Sequence, residues 1–304
     1  MSTVQPGILA VVPRLARYLV FSLTPLLEPR VALMRLCDHA DGEHTVIGIG
    51  QSTVLALGRR VEGLRVFPGY SGAGIDVPST PGALWCWLRG DDRGELTHRT
   101  RLIARTVSPA FRLEKVIDAF QYGPSLDLTG YEDGTENPTG EQAYAVAVTQ
   151  KQGEGLDGSS FVAVQQWVHD LTRFDAMSVA EQDHTIGRRR SDNEEIEDAP
   201  ASAHVKRTAQ ESFDPEAFIL RRSMPWADAT GEGLVFVAFG ESFRPFEALL
   251  RRMVGTDDGI PDALFTFTRP ISGHYFWCPP MHKEKLDLRA LALLCPASPC
   301  REVG

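Results

Sequence analysis

The sequence lacks any hydrophobic run long enough to cross a membrane, which would take about 20 mostly apolar residues. Its first 20 residues have no basic segment ahead of an apolar one, and Pro6 and Pro13 interrupt them. A secretory signal peptide has a basic start followed by an unbroken apolar stretch. We therefore predict a cytoplasmic protein that has no membrane partner.

Cysteine is scarce, and its spacing suggests no pairing. The five cysteines form neither a CxxC motif nor a zinc-ribbon pattern. They are Cys37, Cys86, Cys278, Cys295 and Cys300. Cytosolic proteins keep such thiols reduced, so we expect no disulfide bond.

Basic residues are also in short supply. The chain has 31 Lys and Arg against 40 Asp and Glu, which gives a formal net charge of −9. Nucleic-acid binding depends on clustered Lys and Arg that neutralise phosphates. The composition therefore argues against a nucleic-acid partner.

Strand-like and helical patterns occur in both halves of the 304-residue chain. The segments that alternate or run apolar like strands are 8–12, 17–23, 44–57, 160–171, 217–226, 231–240 and 274–280. Helical spacing marks 96–111, 114–122, 178–189 and 242–254. This mixture predicts an α+β fold with domains at 1–150 and 151–304 and a tail after about residue 280.

The segment "LTGYEDGTENPTG", residues 128–140, concentrates glycines and acids. It has no Lys for a phosphate-binding loop, and its acids do not follow the order of a calcium loop. A surface turn is one interpretation. The other is a carboxylate held close to a cofactor, because glycine lets the backbone approach closely.

The string "GYEDGTENP" at 130–138 resembles the GxxDG signature of dye-decolourising (DyP-type) haem peroxidases. Further segments resemble class B of that family and occur in its order, at 5–10, 78–96, 160–171, 186–200, 202–207, 219–226 and 269–280. The resemblance implies two ferredoxin-like domains in tandem, similar to a dimeric α+β barrel. It also implies haem b (iron protoporphyrin IX), bound mainly by the second domain, and reaction with hydrogen peroxide.

The resemblance assigns the chemistry to particular residues. In "SAHVKR", His204 matches the axial ligand of the haem iron. Asp133 of GxxDG matches the group that moves a proton between the two peroxide oxygens. In "ILRRSMPW", Arg221 matches the cation beside the leaving oxygen, and Ser223 is expected on the same face of the strand. Arg222 is expected to point away or toward a structural acid.

The haem carboxylates require cationic or N–H partners. Arg188 matches the position that reaches a propionate in the family, and the backbone of Gly134, Thr135 and Glu136 is expected to contribute. The acid that supports the axial histidine stays open. This chain reads "DALFTFT", which keeps Asp262 but has Thr266 where a second acid is common in the family.

The predicted function is a peroxidase that oxidises phenols, dyes or Mn(II) in one-electron steps through a ferryl intermediate. The alternative is a haem-handling protein that stores haem or removes its iron. For bulky reductants we expect electron transfer through an aromatic side chain, the candidates being Trp85, Trp87, Trp167, Trp226, Trp277 and Tyr131. We also expect a homo-oligomer. The tail lacks the usual pattern for loading into an encapsulin shell, and a helix is expected there.

Overall fold

A computed structural model describes residues 2–295 and contains a β-barrel with helices packed on its outside. The strands are β1 (Leu15–Leu23), β2 (Thr45–Ile49), β3 (Tyr70–Gly72), β4 (Ile75–Val77), β5 (Leu84–Gly90), β6 (Phe111–Phe120), β7 (Ser160–His169), β8 (Leu220–Arg221), β9 (Met224–Asp228), β10 (Gly231–Gly240), β11 (Thr268–Pro270), β12 (His274–Cys278), β13 (Met281–His282) and β14 (Lys285–Leu286).

The helices are α1 (Pro6–Leu9), α2 (Arg30–Leu36), α3 (Gln51–Ala56), α4 (Arg93–Val107), α5 (Gly140–Ala147), α6 (Leu171–Asp175), α7 (Val179–Ile186), α8 (His204–Arg207) and α9 (Arg244–Met253). Short 3₁₀ turns cover Gln210–Ser212, Ala263–Thr266 and Arg289–Leu291. None of the helices between residues 2 and 295 is long and apolar enough to span a bilayer.

The barrel consists of two four-stranded antiparallel sheets with the same topology. The strand order is β2-β5-β1-β6 in the first and β9-β10-β7-β12 in the second. Each places its strands in the chain order 2-3-1-4, which is the ferredoxin-like arrangement. The β12–β2 pair, through Trp277 and Ile49, and the β6–β9 pair, through Ala119 and Trp226, join the sheets into a closed ring. The α+β prediction is confirmed, whereas the domain boundary at residue 150 stays a prediction.

Alternating side chains divide the core into an interior and an exterior layer, because successive strand residues face opposite sides. One buried cluster fills the barrel with residues from all eight ring strands, including Tyr18, Trp85, Trp87, Trp226 and Phe276. The other lies between the outer faces of the strands and the helices. The functional cavity described below opens in this outer layer.

Three segments differ from the prediction made from the sequence. Residues 8–12 form the end of α1 and a turn, and residues 51–56 form α3 rather than the end of a strand. Residues 114–120 belong to β6 rather than to a helix. In β6 exposed residues alternate with more buried ones along most of its length, which is the period of a strand with one face on the core.

The expectation of reduced thiols is wrong for two cysteines. Cys37 at the end of α2 and Cys295 form a disulfide bond with a Cα–Cα distance of 5.9 Å, whereas Cys86 and Cys278 are free and buried. The expected helix in the tail is absent from residues 281–295. These form the β13–β14 hairpin and a short 3₁₀ turn. Cys300 and the end of the tail lie outside the described residues.

Candidate active site

A cavity of 330 Å³ lies on the outer face of the second sheet, between β7 and β10 on one side and α8 and α9 on the other. Its walls are largely apolar, and they include Ile219, Leu234, Phe236, Leu249, Leu250 and Met253. Segment 127–136, which contains the GxxDG motif, closes one edge. A volume of this size is typical of small-molecule sites.

His204 reaches the cavity from the first position of α8. Its Nδ1 lies 2.7 Å from Oδ2 of Asp262, whose side chain is 0% exposed. The other carboxylate oxygen of Asp262 accepts a hydrogen bond from the backbone N–H of Leu264 at 2.9 Å. The acid that the sequence left open is therefore Asp262. With Nδ1 engaged, Nε2 is the ring nitrogen that can bind a metal.

Asp133 and Arg221 meet at the cavity as a carboxylate–guanidinium pair. Arg221 Nη1 lies 3.2 Å from Asp133 Oδ1, and each side chain is 21% exposed. Asn137 links the two parts of the chain that carry them. Its amide nitrogen donates to Arg221 O, and its amide oxygen accepts from Arg221 N, both at 2.8 Å. This link between the motif and β8 was not predicted from the sequence.

A second cavity of 340 Å³ reaches the same Asp133–Arg221 pair from the other direction. Ser223 and Gly134 line this second cavity and not the first. The hydroxyl oxygen of Ser223 accepts a hydrogen bond from Val237 N at 3.3 Å. Gly134 has a φ of 85°, which glycine adopts without strain, so its contribution is the turn after Asp133.

Arg222, the neighbour of Arg221, also lines the second cavity, but its guanidinium binds backbone carbonyls rather than a carboxylate. Its guanidinium donates to the carbonyl oxygens of Ile8 and Leu9 at the end of α1. Burial, and to a smaller extent the nearby charge of Arg89, lowers the pKa of Arg222 to about 10. Arg222 therefore holds α1 on the barrel.

Arg188, Thr135 and Glu136 all line the first cavity. The Arg188 guanidinium already has protein partners, since it donates to Glu136 at 2.7 Å and to Asn193 O at 2.9 Å. The side-chain amide of Asn193 donates to the hydroxyl oxygen of Thr135 at 3.0 Å. The predicted anion site is thus a network in which Arg188 is partly neutralised by Glu136.

His169, which faces the cavity from the end of β7, was not predicted as a site residue from the sequence. Its Nε2 lies 3.1 Å from Oδ2 of Asp127, and its Nδ1 lies 2.6 Å from the hydroxyl oxygen of Thr268. Burial raises the pKa of Asp127, but hydrogen bonds from His169 and Thr129 outweigh this and lower it overall. The sequence held one weak signal for His169. Alternate residues of a strand point to the same side, so His169 shares a strand face with Gln165 and Trp167.

Of the candidate aromatic residues, only Trp167 and Tyr131 line the first cavity in the described part of the chain. Tyr131 donates a short hydrogen bond to Asp183. Trp167 donates from its indole nitrogen to Gln165 Oε1 at 3.3 Å. The other four tryptophans, Trp85, Trp87, Trp226 and Trp277, are fully buried in the two core layers.

Comparison with known proteins agrees with this architecture. Residues 125–283, just over half of the chain, match the family model "Dyp-type peroxidase, C-terminal". A dye-decolorizing peroxidase of Mycobacterium tuberculosis is 30% identical over 242 residues, which cover 77% of this chain and 72% of the relative. A dye-decolorizing peroxidase of Rhodococcus erythropolis is 29% identical over 248 residues, which cover 79% of this chain and 73% of the relative.

Two solved structures have nearly the same fold. A putative DyP-type peroxidase from Shewanella oneidensis superimposes with a TM-score of 0.84 at 26% identity, covering 96% of this chain and 98% of that one. A variant of DypB from Rhodococcus jostii RHA1, in complex with heme, gives a TM-score of 0.83 at 25% identity, covering 90% and 95%.

Proposed function

The chain belongs to the DyP-type peroxidase family, and we propose that it is a haem b peroxidase that reduces hydrogen peroxide in the 330 Å³ cavity. The observation that carries the proposal is the arrangement of its polar groups. His204 lies in one wall of a largely apolar cavity with the fully buried Asp262 carboxylate behind it, and a carboxylate–guanidinium pair lies at the cavity's edge.

The residues present fit a haem. The apolar walls suit a flat macrocycle, and His204 has the free Nε2 that an iron ligand needs. Gln165 gives a separate indication that a group binds here. It lines the cavity, and its buried amide nitrogen has no hydrogen-bond partner among the described residues. The indole N–H of Trp167 fixes the orientation of that amide, which leaves an N–H donor for a bound group.

We assign His204 as the iron ligand and Arg188, Thr135 and Glu136 to the surroundings of the haem carboxylates. The haem, when bound, supplies the iron at which peroxide is reduced. Asp262 is an anion against Nδ1 of His204, so it keeps that nitrogen protonated and makes Nε2 a stronger donor. Ser223 and Gly134 are left with supporting roles at the second cavity.

Asp133 is the proposed proton carrier. It takes a proton from one peroxide oxygen and delivers it to the other as the O–O bond breaks. The neighbouring Arg221 guanidinium, 3.2 Å from the Asp133 carboxylate, stabilises the negative charge that develops on the departing oxygen. Because both side chains also border the second cavity, that cavity provides peroxide with a route to them.

The alternative, haem storage or iron removal, fits the structure less well. A storage site needs the axial ligand and the carboxylate partners, but it needs no carboxylate–guanidinium pair. Two hydrogen bonds from Asn137 fix the backbone of Arg221 beside the segment that carries Asp133, which preorganises the pair for charge development. The peroxidase is therefore the function that the geometry supports best.

The experiment is stopped-flow absorption of the haem-loaded protein mixed with peroxide. We expect the second-order rate constant to fall about 10²- to 10⁴-fold in Asp133→Ala and about 10²- to 10³-fold in Arg221→Ala. Arg112→Ala serves as a control, because Arg112 belongs to an exposed ion pair with Glu114 on β6. Wild-type rates in both active-site variants would refute the proposal.

The finer features inferred from the resemblance stay predictions. These are phenols, dyes or Mn(II) as reductants, the ferryl intermediate, one-electron steps, a homo-oligomer and a cytoplasmic location. Association with an encapsulin shell also stays open. One DyP-type peroxidase of similar fold, from Mycobacterium smegmatis, is described as encapsulated, with 24% identity and a TM-score of 0.84.

A further inference from the structure

The carboxylate of Asp133 sits at the end of a tight loop, residues 125–133, which we call the motif loop. Asp133 N donates to Ser125 O at 3.0 Å, and a bridge pairs Leu126 with Glu132. Further along, Asp127 N donates to Tyr131 O at 2.9 Å. The two ends of the loop are thus bonded to each other, so the position of Asp133 depends on where the whole loop is held.

Asp127 makes several of the hydrogen bonds within the motif loop. Its Oδ1 accepts hydrogen bonds from the backbone and hydroxyl of Thr129, at 2.9 and 2.7 Å, and its carbonyl accepts from Gly130 N. Its Oδ2 lies 3.1 Å from His169 Nε2. That last contact joins the loop to the barrel, because His169 belongs to β7, which is paired with β10 on one side and β11 on the other.

Both ring nitrogens of His169 face acceptors. Asp127 is an ionised carboxylate, so it accepts from Nε2–H. The hydroxyl of Thr268 has a carbonyl acceptor of its own, Val168 O at 3.1 Å, so its oxygen is free to accept from Nδ1–H. Both contacts are shielded from solvent, since the His169 side chain is only 6% exposed. A charge-assisted bond of this kind is among the stronger hydrogen bonds in proteins.

We propose that His169 is a positioning residue for the peroxide reaction: through Asp127 it fixes the motif loop, and thereby the place of the Asp133 carboxylate. The inference rests on the proposed role of Asp133. It assigns no chemistry to His169 itself. It predicts that His169 acts only through Asp133, which a residue needed merely for folding would not do.

The first test measures the loop directly, by amide hydrogen exchange of residues 125–133 in the haem-loaded protein. We expect exchange to be about tenfold to a hundredfold faster in His169→Ala, since the variant loses one charge-assisted hydrogen bond. His169→Gln, whose amide can still donate to Asp127, is expected to restore most of the protection. Thr268→Val retains the His169–Asp127 contact and should have the smaller effect. Unchanged exchange in His169→Ala would overturn the proposal.

The second test is the peroxide rate constant in single and double variants. We expect His169→Ala to lower it about tenfold to a hundredfold, as a displaced catalytic group does. In an Asp133→Asn background the same substitution should have no further effect. Additive losses in the double variant would contradict the proposal, because they would show that His169 acts independently of Asp133.

The matched control is His44→Gln. His44 Nδ1 also lies 3.1 Å from an aspartate, Asp41, but that pair is exposed and far along the chain from the motif loop. The His44→Gln substitution should change neither the amide exchange of the motif loop nor the peroxide rate constant.

The failure of the proposed function and the failure of this inference can be told apart. If Asp133→Asn itself keeps the wild-type rate, the proposed function loses its proton carrier. If Asp133→Asn is slow but His169→Ala is not, only the inference about His169 fails.

Discussion

Replacing Asp262 with Asn tests whether the axial histidine depends on a buried anion. The carboxylate is completely buried, contacts His204 Nδ1 at 2.7 Å and is bound on its other oxygen by Leu264 N. Asn has nearly the same size and can still accept through its amide oxygen. The substitution removes the negative charge, and because the amide has one oxygen for two N–H donors, it also gives up one of the two hydrogen bonds.

The structure allows the size of the effect to be worked out. A hydrogen bond to a charged group contributes about 1.5–3 kcal/mol, and every 1.4 kcal/mol corresponds to a factor of ten in an equilibrium constant. Loss of the charge should therefore weaken haem binding about tenfold to a hundredfold, which is also the usual effect of removing such a partner of a metal ligand. The Fe(III)/Fe(II) reduction potential should rise, because a less basic imidazole stabilises the ferric state less.

Haem titration by absorbance and a spectroelectrochemical titration measure the two quantities. The control is Asp258→Asn. Asp258 forms an ion pair at 2.7 Å with Arg207, which lies in the same short helix α8 as His204, but it does not touch the histidine. Equal loss of haem affinity in the two variants would mean that α8 had merely loosened. Wild-type affinity and potential in Asp262→Asn would refute the reasoning about the anion.

Three further outcomes are expected. Trp167→Phe should slow the turnover of bulky dyes but not the peroxide reaction, with the fully buried Trp226→Phe as control, and equal loss in both steps would exclude electron transfer through Trp167. Cys37→Ser should lower the free energy of unfolding by about 2–5 kcal/mol, visible in Tm, and an unchanged Tm would contradict a stabilising disulfide. The pKa of Asp127 is lowered in the folded state, so its contribution to stability is present above its ordinary pKa of 3.8 and is lost as the pH falls below that value. Asp127→Asn should therefore flatten the acid limb of Tm against pH, and an identical limb would show that Asp127 does not contribute.

Local patterns predicted most strands and long helices, but failed where tertiary contacts decide. Residues 114–120 have apolar side chains spaced as in a helix, yet they form β6 because β1 and β9 offer hydrogen-bonding partners on both sides. The short helix α1 could not be predicted either. Its end is held by Arg222, which lies more than 200 residues away in the sequence.

For the site, the resemblance named residues, but it could not describe the bonds between them. Asp133 and Arg221 were both singled out, whereas the amide of Asn137 that joins their segments becomes visible only in three dimensions. Asp262 stayed one of several acids until its distance to His204 was known. His169 had no local signature, since a histidine on an apolar strand usually belongs to the core.

The two halves share one topology, and the cavity that holds the site lies on the outer face of the second sheet. The outer faces of the first strand of each half suggest why. On β1 the outward residues Leu19 and Phe21 are apolar and belong to the layer that α4 covers with Ile103 and Val107. On β7 the corresponding face presents Gln165, Trp167 and His169. His169 and the indole of Trp167 have hydrogen-bond partners, but Gln165 Nε2 has none among the described residues. A helix packed directly over it would leave that N–H unsatisfied, at a cost of about 1–3 kcal/mol. The polar face therefore opposes closure of the second half, and it favours a bound group between the sheet and α9.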